Sequence, residues 1–414
     1  MNEATSTPPF PRRLVRISDV AATASGTTPS RDQSRYWKPA EIPWVKTGEI
    51  HFAPIRRTEE AVSRIALDEC SLPLLPPGTV LVAMYGQGKT RGQSAVLEIE
   101  ATTNQACFAV LPTEAFAPEY LQYWFQFSYS TLRQSSEGRG GNQANLNSEI
   151  LGNLEVPWVE REEQLRIAAR LHAQLADAET VRRAAQAQRE SAEALVAAIY
   201  REAFAQVVPV AVPPAFDEPP PGWQWRKLTD VARLESGHTP SRSRSDWWGG
   251  DVSWISLTEI RALDGQWVES TQLRTNAAGI ANSAARILPR GTVCYSRTAS
   301  VGFVVIMAKP MATSQDFANW VCGDALDPEF LMHALIRARK ELRDLATGAT
   351  HKTIYMPTLE SFRVCAPDID AQRRIVRGLK QRLEEASALR AALDAQQAEL
   401  AKLPQRLLAQ AFEN

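Results

Sequence analysis

The chain has 414 residues, a formal net charge of −1 and a pI near 6.6, and 44% of its residues are hydrophobic. That length supports two or three domains with buried cores, and the lack of any run of 18 apolar residues excludes a membrane-spanning helix. Five scattered cysteines (Cys70, Cys107, Cys294, Cys322, Cys365) and five histidines without HxH or HExxH spacing argue against a disulfide scaffold and a zinc site. The opening "MNEATSTPPFPRRL" has no apolar core of a signal peptide, so a cytoplasmic location is expected.

Along the chain, "VRISDVAATASGTTPSR" (15–31) leads through Tyr36 and Trp37 to "IPWVKTGEI" (42–50). The apolar run Val80–Met84 reads as a strand, and "AMYGQGKT" (83–90) after it matches a loose phosphate-binding loop. A working loop of that kind opens directly into a helix whose N-terminus holds the phosphates. Here Gly92 and "QSAVLEIEA" follow, which read as strand, so a glycine-rich hairpin loop with a basic tip at Lys89 and Arg91 is favoured. One helix is expected over Pro118–Leu132, followed by the loop "EGRGGNQANLN" (137–147). Arginine pairs with guanine edges, and asparagine or glutamine with adenine, so Arg139, Asn142, Gln143 and Asn145 are candidate DNA contacts.

From Leu171 a seven-residue series runs through Ala178, Ala185, Ala192 and Ile199, joined by Val181 and Leu195. A seam sustained over roughly 40 residues predicts a coiled-coil helix, about 65 Å long at ~1.5 Å per residue. Gln188 interrupts the seam as a candidate buried polar residue that fixes register. "VVPVAVPPAFDEPPPG" (207–222) then reads as a stiff, extended linker.

The second half repeats the first. "RKLTDVARLESGHTPSR" (226–242), "VSWISLTEI" (252–260), "LPRGTV", "MATSQDFA", "DPEFL" and "APDIDAQRRIVRGL" match the first-half segments in order, at offsets of 208 to 213 residues. Short strands are expected over Val293–Tyr295 and Val301–Met307, and a helical stretch over Pro328–Leu345. Arg242, Arg244, Trp247 and Trp248 follow the repeated "TPSR", and the loop "TGATHKTIY" (347–355) offers His351, Lys352 and Tyr355. Lys46, Asn104, Arg297 and Gln315 are weaker candidates in the same frame. A second long helix carries Leu379, Ala386, Leu393, Leu400 and Leu407, with Leu389 and Leu403 alongside, Gln396 as polar interruption and Pro404 as an expected kink. Asp368 and Asp370 read as acids at its positive end.

The expected class is therefore α/β: two pseudo-symmetric α/β target-recognition domains separated by a long antiparallel two-helix coiled coil, a dumbbell. The boundaries are 1–156 for the first head, 157–206 for the first helix, 207–222 for the linker, 223–366 for the second head and 367–414 for the second helix. This order, with "IPWVKTGEI" and "VSWISLTEI", "LPPGTVLVAMYGQGKTRG" and "LPRGTVCYSRTASVG", and the helix starts at Gln164 and Gln372, resembles the specificity subunit of type I restriction–modification systems. The resemblance implies a non-catalytic chain whose heads each read half of a split target in double-stranded DNA. It implies that the helices set the half-site spacing and dock two methyltransferase subunits, with restriction–translocase subunits completing the complex. S-adenosylmethionine, ATP and magnesium would sit on those partners, and no cofactor on this chain.

Charge qualifies that reading. Residues 1–156 carry 14 basic and 16 acidic side chains, net −2, and residues 223–366 carry 17 and 14, net +3. Phosphate contacts supply most non-specific affinity, so the isolated chain is expected to bind DNA weakly. The alternatives are a stand-alone bipartite DNA-binding regulator or other anti-phage module, and a P-loop NTPase.

Overall fold

A computed structural model describes residues 13–86, 88–137, 146–214, 217–348 and 352–413, apart from the side chains of 135–137. The chain forms two compact units, Met1–Gln186 with Ala395–Asn414, and Ala187–Asp394.

In the first unit, a four-stranded antiparallel sheet runs in the order Thr23–Ser25, Cys107–Val110, Val80–Ala83, Ser94–Val96. Alternate residues of a strand face opposite sides. Here both sides are apolar and both are covered. Val80, Val82, Phe108 and Val110 pack against Tyr120, Leu121 and Phe125 of the helix Pro118–Glu137. Leu81, Ala83, Cys107 and Ala109 pack against Val45, Ile50 and Leu97. A smaller sheet orders Glu60–Val62, Ile42–Val45 and Thr102–Thr103, the last pair parallel. Arg13–Arg16 pairs with Glu155–Trp158.

The second unit repeats this plan. Its main sheet orders Ala232–Ser236, Phe317–Cys322, Val293–Ser296, Val304–Met307 and Trp267–Val268. Val293, Tyr295, Val304 and Ile306 face the helix Pro328–Arg337, whereas Cys294, Val305 and Met307 face Ile255 and Leu288. The expected helix over Pro328–Leu345 is two helices, Pro328–Arg337 and Arg339–Asp344, meeting at Ala338. The proline-rich segment contributes a strand, Val210–Ala211, which pairs with Arg363–Ala366, itself paired with Gln224–Lys227.

Two long helices, Arg161–Ala203 and Ile369–Phe412, each contribute to both units. They are antiparallel within each. In the first unit Gln397 Nε2 donates to Gln186 Oε1 at 2.8 Å, and Phe412 lies in the core with Leu171. In the second, Arg189 pairs with Asp394 at 2.9 Å and Arg382 with Glu202 at 2.5 Å. Asp368 caps the second helix by accepting from the Ala371 N–H at 2.8 Å, as its sequence position suggests. That helix continues through Pro404.

The seam differs from expectation. Leu171, Ala178, Ala185, Ala192 and Ile199 are buried, as are Leu379, Ala386 and Leu393. The accompanying row is open: Val181 is 47% exposed, Leu195 39% and Leu389 45%. Gln188 and Gln396 belong to that row and are exposed, so neither is a buried register residue. One row on each helix makes the contact, and where small alanines line it the second row is left uncovered.

Gln164 and Gln372 lock each long helix to its own head, and both are 1% exposed. Gln164 Nε2 donates to the Ala115 and Val159 carbonyls, both at 2.8 Å, and its Oε1 accepts from the Ala117 N–H at 2.8 Å. Gln372 Nε2 donates to the Ala325 and Pro367 carbonyls at 3.1 and 2.9 Å, and its Oε1 accepts from the Asp327 N–H at 2.9 Å. Gln372→Ala is expected to destabilise the second unit by about 3 kcal/mol, because three bonds go and buried backbone groups are left unpaired. Gln188→Ala should stay within about 0.5 kcal/mol of the parent in the same denaturant titration.

His333, in the second core, carries a pH dependence. Burial lowers its pKa from 6.5 to about 4, and its Nδ1 lies 3.0 Å from the Tyr200 hydroxyl. The unfolded chain then binds the extra proton, so this contribution is complete above pH 6.5 and is lost as pH falls toward about 4. The expected slope is up to about 1.4 kcal/mol per pH unit. It is read as the difference between the parent and His333→Gln in denaturant titrations at several pH values.

Candidate nucleic-acid interface

The repeated "SGTTPSR" and "SGHTPSR" build the same device in both heads. Gly26 and Gly237 start it because nothing larger fits. A Cβ at Gly26 would stand 1.8 Å from the Thr103 carbonyl oxygen, and one at Gly237 2.1 Å from that of Ser314. The next residues hold the loop down: Thr27 N–H donates to Thr103 O at 3.0 Å, and His238 N–H to Thr313 O at 2.9 Å. Thr28 then donates to Gln105, and Thr239 to Gln315.

Two tryptophans support the loop. Trp37 and Trp44 donate to the Ser30 and Thr27 carbonyls at 3.1 and 3.2 Å, and Trp248 and Trp254 to those of Ser241 and His238, both at 3.1 Å. Each pair meets edge to face, with centroids 5.2 Å and 5.0 Å apart. On top lies an exposed arginine, Arg31 at 3.8 Å from the Trp37 ring centre and Arg242 at 4.4 Å from that of Trp248. A guanidinium stacked this way is held flat with its donors at the edge; that of Arg31 donates to Glu60. The match for Trp37 is thus Trp248. Trp247 is half-buried beneath Arg244, and its carbonyl accepts from Thr275 Oγ1 at 2.7 Å. Arg244 is exposed and ion-paired with Asp246 at 2.7 Å. Tyr36 donates to Glu69 at 3.0 Å, which raises its pKa.

Within each head, described residues of the loops singled out in the sequence are bonded to one another. In the first, the glycine-rich segment closes a hairpin, with Val82 opposite Ser94 and Gly92 at φ +86°. Lys89 is exposed and its carbonyl accepts from the Tyr129 hydroxyl at 2.6 Å. Arg91, chosen as a basic tip, is 9% exposed. Arg139, Asn142, Gln143 and Asn145 lie outside the described residues, but Leu146 N–H bonds Met84 O at 3.2 Å, bringing the end of that loop to the hairpin. In the second head, Ala299 N–H bonds Lys352 O at 3.0 Å and Ile354 N–H bonds Arg297 O at 2.9 Å. Arg297 Nη2 reaches the Gln315 carbonyl at 2.9 Å, and Gln315 in turn accepts from Thr239 of the "SGHTPSR" loop; Tyr355 is 57% exposed and Lys352 is exposed. His351 lies outside the described residues. Lys46 is held by Glu59 and Glu60 at 2.6 and 3.0 Å, and Asn104 donates to Thr47 at 3.1 Å.

This surface offers arginines, amides and aromatic planes, the chemistry of phosphate and base contact. It offers little for bond-making. Burial pushes the Cys107 and Cys322 thiols up to about 12 and Cys365 up to about 11, far from a reactive thiolate. Among the described residues no group of three His, Cys, Asp or Glu side chains could hold a metal ion. The glycine-rich segment leads into the strand Ser94–Val96, so among the described residues it does not open into a helix as a phosphate-binding loop does. Lys89→Ala combined with Thr90→Ala should therefore alter no nucleotide-dependent property. Equilibrium dialysis with ATP checks this, and saturable binding lost in the double variant would contradict it.

A family profile described as the type I restriction modification DNA specificity domain matches residues 13–188 and 220–396. The chain is 27% identical over 159 residues to the type I restriction enzyme MjaIX specificity subunit of Methanocaldococcus jannaschii, covering 38% of this chain and 37% of that protein. It is 30% identical over 133 residues to the HindI specificity subunit of Haemophilus influenzae, covering 32% and 28%. The chain thus spans about a third of the length of these curated relatives. The fold resembles the crystal structure of the HsdS subunit from Thermoanaerobacter tengcongensis, with a TM-score of 0.67 and 22% identity over the whole of both chains. It also resembles a chain from a study of complex assembly and conformational transition in a type I R-M system, with a TM-score of 0.72 and 21% identity over 98% of this chain and 99% of that one.

Proposed function

Because the chain belongs to the type I restriction–modification DNA specificity family, we propose that it is the DNA-reading subunit of such a complex, each head reading one half of a split target. The observation that carries this reading is the duplicated head with one framework and two different exposed chemistries. The glycine, threonine, tryptophan pair and stacked arginine recur in both. Other loops of the two heads do not: the first head carries the exposed Lys89 on its hairpin, and the second carries Arg297, Lys352 and Tyr355. A constant frame with variable tips is what two readers of different sequences need. Arg139, Asn142, Gln143 and Asn145 are assigned to the first half-site, and Arg242, Arg244, Trp247, His351, Lys352 and Tyr355 to the second. Tyr36, Trp37, Lys89 and Arg91 support the first.

The long helices are assigned to partner docking. Leu195 and Leu389, both exposed, flank a groove with Ala192 and Leu393 in the second unit. Two methyltransferase subunits are the proposed occupants, with restriction subunits joining through them. S-adenosylmethionine, ATP and magnesium belong to those partners, which also supply the backbone grip that a net charge of −1 does not. Replacing residues 223–366 with a head of different specificity tests the reading. Methylation-aware sequencing of a host carrying the chimera and its methyltransferase should show one half of a split motif changed and the other kept. If both halves change together, the heads are not independent readers.

A further inference from the structure

The two heads differ at one strand facing the stacked arginine. In the first head Glu60 stands opposite Trp44 in the ladder. Glu60 forms an ion pair with Arg31 and lies 3.0 Å from Lys46, and Glu59 holds Lys46 from the other side at 2.6 Å. The Arg31 contact keeps the Glu60 carboxyl below its ordinary pKa, so it stays ionised at neutral pH.

The second head has the same strand with other side chains. Ser253 stands opposite Arg274, and Trp254 N–H bonds the Leu273 carbonyl at 3.1 Å, so Leu273 takes the place of Glu60. A shared turn confirms the alignment: Thr58 Oγ1 donates to the Glu60 carbonyl and Thr271 Oγ1 to that of Leu273, both at 2.7 Å. Glu59, Glu60 and Ala61 thus become Gln272, Leu273 and Arg274. Two carboxylates are gone and one guanidinium is gained. Arg242 and Arg274 are both exposed and line one open cleft with Trp248 and Gln272. Among the described residues neither arginine has a carboxylate partner within ion-pairing distance, whereas Arg31 has one.

We infer that the two heads grip DNA unequally: Arg242 and Arg274 form a phosphate-binding cleft in the second head, while in the first Glu59 and Glu60 cancel Arg31 and Lys46 and Ala61 stands where Arg274 would. The inference rests on the DNA-reading function proposed above and adds which head anchors the backbone. A cation already paired with a carboxylate releases few counterions from DNA, because its charge is spent within the protein. Such electrostatic hold as the chain itself adds to its partners' grip then comes from the second head, and the first contributes chiefly direct reading.

The test is the salt dependence of binding to a random-sequence duplex of about 30 base pairs, followed by fluorescence anisotropy with the full-length chain, alone and with its methyltransferase. Each phosphate contact contributes about 0.9 to the slope of log K against log salt concentration. Arg242→Ala with Arg274→Ala should lower the slope by nearly 2. Arg31→Ala should leave it almost unchanged, and Glu59→Gln with Glu60→Gln should raise it by about 1 or more. All these positions are on the surface, and equal melting temperatures would show that the variants are folded. Equal losses from Arg31→Ala and Arg242→Ala would overturn the inequality while leaving the DNA-reading function standing. No binding to any duplex by the parent chain, alone or in complex, would overturn both.

Discussion

A buried amide joins each long helix to its head, and the arrangement depends on how fully that amide is used. A buried glutamine has two donor hydrogens and a carbonyl oxygen, and leaving them unpaired is expensive. Gln164 and Gln372 spend both donors on carbonyls and the oxygen on an N–H, all belonging to the backbone. The acceptors come from two places, the turn just before the long helix and the segment leading into the head helix. One side chain therefore fixes three things at once: where the long helix begins, where the head helix begins, and the angle between them. Apolar packing of Leu171 or Leu379 beneath it adds stabilisation without direction, since dispersion and burial fix no bond angles. A recognition surface carried on the head inherits its aim from this joint.

Much of the architecture was legible in the sequence because duplication writes each feature twice. The strands at Val80 and Val293, the head helices from Pro118 and Pro328 and the cap at Asp368 lie where composition and spacing put them. The helix seam is narrower than its apolar spacing suggests. Apolar spacing marks candidate rows, but whether a row is covered depends on the partner's bulk. Alanines at 178, 185 and 192 give a narrow contact, so the row of Val181, Gln188 and Leu195 stays outside it. Polar contacts between the helices are made instead by Gln186 with Gln397, Arg189 with Asp394 and Arg382 with Glu202, which no heptad count singles out. The strand at Val210 was hidden by its prolines, which suggest an extended linker equally well.

The interface was legible in its parts and illegible in its pairings. Arginine, tryptophan and amide residues mark candidate segments in the sequence, yet their side chains alone do not decide which of Trp247 and Trp248 answers to Trp37. The seven-residue step from Ser30 to Trp37 recurs only from Ser241 to Trp248, and that step is set by the indole N–H reaching back to a carbonyl. Glu59 and Glu60 passed unnoticed because carboxylates rarely suggest DNA contact. Their importance comes from the ladder that brings them beside Arg31, a residue far away in sequence. Juxtaposition across strands leaves no local trace.

The short strand Val210–Ala211 has a consequence for how such proteins diversify. It joins the second head by main-chain pairing with Arg363–Ala366, and the Cys365 N–H also bonds the Pro209 carbonyl at 2.8 Å. Peptide groups are the same in every sequence, so this attachment asks almost nothing of the residues it joins beyond an extended backbone and a small apolar contact such as Val210 with Val364. A gene fragment encoding a foreign head could recombine at this point and be received by the resident strand without prior co-adaptation. The joint acts as a standard fitting: any head that presents an extended edge where Arg363–Ala366 lies can be seated there without changing the strand that receives it.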